Sequence, residues 1–128
     1  MKIIVDTSVI IDYTRANIGS FNQLISDSRS GNCDLYIPSV VITELWSGKE
    51  TKNKKNGVRL EKILSLFKII NLDQKIAKHA GTISRDTNIF GFDAIIAATA
   101  LELDAQVATS NTKHFTKVKN LKLYSSKK

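Results

Sequence analysis

Short β-branched runs alternate along this chain with segments of helical periodicity, and that alternation limits its fold more than any other feature. The β-branched run over residues 1–5 reads as a strand buried on both faces. Residues 8–15 then carry Val9, Ile10, Ile11 and Tyr13 at helix-compatible spacing. Phe21, Leu24 and Ile25 continue at i, i+3, i+4 until Ser30-Gly31-Asn32 breaks the chain. Residues 35–37 form a second strand, and Pro38-Ser39 opens a helix that runs to about Gly48. Residues 53–56 read as a polar connection, after which Leu60, Ile63, Leu64 and Phe67 mark the clearest amphipathic helix. Ile69-Ile70 suggests a third strand, and Asp73 caps a helix bearing Ile76, Ala80 and Ile83. Gly91 and Asp93 introduce residues 94–103, apolar almost all round and therefore a central buried helix. Residues 107–109 give a fourth strand and residues 121–124 a short fifth. Strands alternating with helices require right-handed crossovers and a parallel sheet covered on both faces. The expected fold class is α/β: a three-layer α/β/α sandwich around a central, mostly parallel four- to five-stranded sheet, with residues 1–128 forming one domain.

Composition acts mainly by exclusion. With 42% hydrophobic and 24% charged residues, the 128-residue chain is too apolar for disorder and large enough for one core. Cys33 is the single cysteine, which excludes a disulfide scaffold or a zinc finger and leads us to expect a reducing cytoplasm. The opening apolar run stops at Asp6, too soon for a signal peptide, and no stretch approaches the roughly 20 apolar residues of a membrane span. The net charge of +7 is unevenly placed. One basic run comprises Lys49, Lys52, Lys54, Lys55, Arg59 and Lys62; another begins at Lys113, after the last acid, Asp104. Such surfaces suit a polyanion or an acidic partner.

In open α/β sheets, sites lie at the carboxyl ends of the strands, near the point where strand order reverses. Asp6, Glu44, Asp93 and Asn111 all map to that edge. Taken singly, Asp6 and Asp93 suit helix N-caps, Glu44 a solvated helix face, and Asn111 a turn. Together, three carboxylates repel one another and raise each other's pKa, an arrangement that a cation relieves. Oxygen-only ligands favour Mg²⁺ or Mn²⁺ over Zn²⁺. A metal beside basic surface suits phosphodiester hydrolysis by an activated water. Asp12 and Asp104 read as structural acids, and His79 and His114 as structural or phosphate-facing. Cys33 has no base near it in sequence, while Trp46 and Phe67 read as core or interface residues.

Four segments carry a family resemblance: Val5-Asp6-Thr7-Ser8-Val9-Ile10-Ile11-Asp12, Pro38-Ser39-Val40-Val41-Ile42-Thr43-Glu44-Leu45, Phe92-Asp93-Ala94-Ile95-Ile96-Ala97-Ala98-Thr99-Ala100 and Thr109-Ser110-Asn111-Thr112-Lys113-His114-Phe115. They resemble, in order, the signature blocks of PIN domains, with the VapC-like toxins as the most similar group. The resemblance implies a Mg²⁺-dependent endoribonuclease acting on structured RNA, a small cognate antitoxin, and a homodimer. It also implies that Asp6 and Asp93 bind metal directly, that Glu44 binds through water or activates the attacking water, and that the Thr7 hydroxyl supports the first acid. Many relatives carry Asp where this chain has Asn111, so a single-metal site is expected here. A groove between Val41, Leu45, Trp46 and the helix at residues 60–67 is the expected antitoxin seat. A PIN fold acting on DNA, or serving as a binding-only subunit of a regulatory complex, is the alternative. A receiver-like signalling domain would need an acid where the third strand is followed by Asn71.

Overall fold

The computed structural model describes residues 1–125. Five strands, β1 (Lys2–Val5), β2 (Asp34–Pro38), β3 (Lys68–Ile70), β4 (Gln106–Ala108) and β5 (Lys122–Leu123), form one sheet in the order β3-β2-β1-β4-β5. Every neighbouring pair is parallel. The helices are α1 (Thr7–Ala16), α2 (Phe21–Arg29), α3 (Ser39–Trp46), α4 (Lys54–Leu64), α5 (Gln74–Thr87), α6 (Gly91–Leu103) and the single turn α7 (Thr112–Phe115). They complete the three-layer α/β/α sandwich. The second basic run extends to Lys127 and Lys128, which lie outside the described residues.

β1 is the central strand, and Ile3, Ile4 and Val5 are fully buried between the helical layers. From β1 the chain builds outward through β2 to β3, then returns to place β4 on the other flank of β1. The strand order therefore reverses between β1 and β4, and the loops leaving their carboxyl ends splay apart there. α6 explains its nearly uniform apolar sequence: Ala94 and residues 96–100 are all buried. Its one polar member in that stretch, Thr99, satisfies its hydroxyl on the Ile95 carbonyl at 2.7 Å. Gly91 enters this helix at φ +62°, a conformation that L side chains rarely adopt.

Several boundaries differ from the sequence reading. α3 ends at Trp46 rather than near Gly48. Residues 53–56 are not a connection: a 3₁₀ turn (Lys49–Lys52) precedes α4, which begins at Lys54 because the Asn53 side chain accepts from the Lys55 amide at 2.8 Å. Phe67 lies beyond α4, where the chain tightens as the Phe67 amide donates to the Leu64 carbonyl, and its ring joins the core near Phe21. No helix among the described residues is long and apolar enough to cross a membrane.

Candidate active site

Asp6 follows β1 directly and is almost fully buried. It occupies the N-cap position of α1 but makes no capping hydrogen bond with its side chain. Two hydroxyls claim it instead: Ser8 Oγ donates to Asp6 Oδ2 at 2.8 Å, and Thr109 Oγ1 donates to the same oxygen at 2.7 Å. Oδ1 is left without a hydrogen-bond donor among the described residues. Thr109 is delivered by β4, whose pairing with β1 continues as the Asp6 amide donates to the Ala108 carbonyl at 2.9 Å. The reversal of strand order is thus stitched shut through Asp6.

Thr7 is buried, but it supports a different acid from the one expected. Its hydroxyl donates to Glu44 Oε1 at 2.8 Å, tying α1 to α3. Burial pushes the Glu44 carboxyl above its ordinary value; the Thr7 hydroxyl opposes that shift, and the charges of Asp6 and Asp93 add to it. Asp93 stands in the first turn of α6 and is not its cap, since Phe90 holds that position. Burial and then the Asp6 charge raise the Asp93 carboxyl, while His114 pulls it down. Each of the three carboxylates is within charge–charge range of the other two. Among the described residues, no three His, Cys, Asp or Glu side chains already close into a metal cage.

Asn111 is exposed at the N-cap of α7, with no capping hydrogen bond from its side chain. Its loop is nonetheless pinned to α1. The Ser110 amide donates to Ser8 Oγ at 3.0 Å, and the Ser110 hydroxyl donates to Asp12 Oδ2 at 2.5 Å. Asp12 holds this loop, and Asp104 ends α6 in a left-handed conformation. His79 pairs with Glu102 on the α5–α6 face, away from this network.

Four participants escaped the sequence reading. Thr109 and Ser110 became visible only once the register of β1 against β4 was known, whereas Ser8 reaches Asp6 from two residues along the chain. His114 Nε2 lies 3.5 Å from Asp93 Oδ2, buried and without a hydrogen-bond partner among the described residues. Its place next to Asp93 depends on how α7 folds back, which no spacing encodes. The expected antitoxin groove is also rearranged. Val41 is fully buried, and Trp46 faces a shallow depression with Val58 and Glu61. Leu45 and Leu60 instead line a separate cleft of about 650 Å³ that includes Thr7 and Glu44 in its wall.

The family model of the PIN domain matches residues 3–121. The chain belongs to the PIN domain family. This PIN domain is 34% identical over 125 residues to ribonuclease VapC10 of Mycobacterium tuberculosis, covering 94% of this chain and 90% of that protein. Among solved structures, it superposes with a TM-score of 0.82 on a chain of VapBC2 from Rickettsia felis, in a crystal structure bound to a DNA fragment from their promoter. That pair shares 25% identity over 99% of this chain and 100% of the other. A chain of DNA-bound VapBC from Salmonella typhimurium shares the fold, with a TM-score of 0.82 at 21% identity over 97% of each chain.

Proposed function

We propose that this PIN domain is a Mg²⁺-dependent endoribonuclease, with Mn²⁺ as a working substitute, and the toxin of a toxin–antitoxin pair. In this reading it acts in the cytoplasm as a homodimer and is held inactive by a small cognate antitoxin. The observation that carries the reading is the meeting of Asp6, Glu44 and Asp93 at the reversal of strand order, where burial and mutual repulsion raise two of the three carboxyls. Similarity to a protein named ribonuclease VapC10 supports RNA as substrate, and similarity to VapBC complexes supports the antitoxin.

The donor set fits a hard divalent cation. All three acids offer oxygen, no thiol is near, and added positive charge relieves their repulsion. Asp6, through its open Oδ1, and Asp93 would hold the ion, with Glu44 reaching it through water. Bound there, the cation would supply Lewis-acid charge to the scissile phosphate and acidify the attacking water. Ser8 and Thr109 orient Asp6, and Thr7 orients Glu44, so the acids need not reorganise. Glu44, moved towards its neutral form by burial, is suited to take the proton of the attacking water. Asn111 adds a neutral amide at this edge, which favours one ion over two.

Calorimetry should show one Mg²⁺ or Mn²⁺ bound per chain, and a large loss in Asp6→Asn and in Asp93→Asn. Unchanged binding in both variants would overturn the assignment. Sequencing RNA ends after brief expression of the wild-type chain should reveal new 5′ ends that the Asp6→Asn variant does not produce.

A further inference from the structure

We propose that the 650 Å³ cleft beside Glu44 is a nucleobase pocket that receives the base adjoining the scissile phosphate and favours guanine. This rests on the ribonuclease reading above. The cleft opens between α1, α3 and α4, and Thr7 and Glu44 form one of its walls. An occupant there is therefore continuous with whatever group is held at the carboxylates. Its volume lies within the roughly 300–1,000 Å³ usual for small-ligand sites. Ile11, Leu45 and Leu60 give it an apolar lining, and Phe92, next to Asp93 and 39% exposed, offers a ring on which a base can stack.

The polar lining gives the pocket its preference. Asn56 Nδ2 donates to the Glu50 carbonyl at 3.0 Å, which fixes the amide and leaves Oδ1 as an acceptor without a donor among the described residues. Arg59, one turn further along α4, donates from Nη1 to the Thr14 carbonyl at 3.2 Å and lies 5.7 Å from the Tyr13 ring centre. Its fork is thereby held with N–H groups to spare. The other cation in the lining, Arg15, is already paired with Glu50, so Arg59 is the guanidinium there without a carboxylate partner among the described residues. A donor fork beside a fixed acceptor matches guanine, whose O6 and N7 form two adjacent acceptors next to the N1–H donor. No other RNA base combines these. Continuity with the carboxylates and the free guanidinium favour a nucleotide over a peptide as occupant.

The test titrates the four 5′-mononucleotides into the full chain in EDTA, followed by NMR. GMP should bind about fivefold or more tightly than the other three, the scale expected when a fork reads O6 and N7. Asn56→Ala should erase that preference, and Phe92→Ala should weaken all four alike, with thermal melts confirming that both variants fold. Equal binding of the four by wild type, or a preference unmoved in Asn56→Ala, would overturn the pocket. If no mononucleotide binds, the proposal falls. Cleavage is read separately: RNA left intact with both Mg²⁺ and Mn²⁺ would overturn the ribonuclease reading, whereas GMP binding in EDTA would still support the pocket.

Discussion

Ser8 and Thr109 lie 101 positions apart, yet both hydroxyls converge on one oxygen of Asp6. The three acids were legible in the sequence because Asp6 follows a strand, Asp93 lies in the first turn of a helix, and Glu44 lies on the helix that follows β2, all towards one predictable edge. Their supporting hydroxyls were not, since a serine or threonine after a strand has many possible partners, and the partner of Thr109 is fixed only once β4 is set against β1. Thr7 illustrates the difference: adjacency suggested that it served Asp6, but the turn into α1 sends its hydroxyl to Glu44. The raised carboxyls have a pH signature. Because burial disfavours ionised Glu44 and Asp93, the unfolded chain ionises first as pH rises. The metal-free fold therefore keeps the full contribution of these groups below the ordinary carboxylate range and loses part of it as pH climbs above that range through the raised values. Glu44→Gln is expected to melt at or above wild type at pH 7 in EDTA, by less than about 1 kcal/mol because solvent still screens the site. The difference should vanish near pH 4. A variant that melts clearly lower at pH 7 would show that the Glu44 carboxylate stabilises the metal-free fold.

At the level of elements, hydrophobic periodicity located α6 and the body of α4 but not the start of α4. The first turn of α4 is Lys54, Lys55, Asn56 and Gly57, with nothing apolar to set a period, so it read as a connection. A local signal was nonetheless present, since Asn53 is a strong N-cap type and its side chain accepts the Lys55 amide. Asn53→Ala should cost about 1 kcal/mol in urea unfolding, the usual value of such a cap. It should also loosen Asn56, and with it the acceptor proposed to read guanine. A loss below about 0.3 kcal/mol would mean that packing of Leu60, Ile63 and Leu64 alone holds this end of the helix. The other end shows the opposite error. Phe67 completes the i, i+7 pattern from Leu60 yet lies past the helix, because core packing rewards the ring's position whatever backbone carries it.

For the whole molecule, alternation of strands and helices was enough to foresee the layers and the parallel sheet. It could not foresee that the chain would turn back at β1, a choice made by tertiary pairing. The +7 charge gives a measurable expectation on the same scale. Lys52, Lys54 and Lys55 are exposed together ahead of and at the start of α4. Neutralising all three should weaken RNA binding and flatten its salt dependence, by up to about 0.7 in slope for each lost single-strand phosphate contact. An unchanged slope would assign this face to solvent or to a protein partner. The strand order also sets when the proposed site can form. β1 is made first, but its second neighbour, β4, and the hydroxyl of Thr109 come from near the end of the described chain. A nascent chain paused on the ribosome before residue 106 has Asp6, Glu44 and Asp93 but no β4 to hold one side of β1. Such a chain cannot complete the carboxylate edge proposed above to be catalytic, so the order of synthesis withholds that edge until the segment carrying β4 has followed α6.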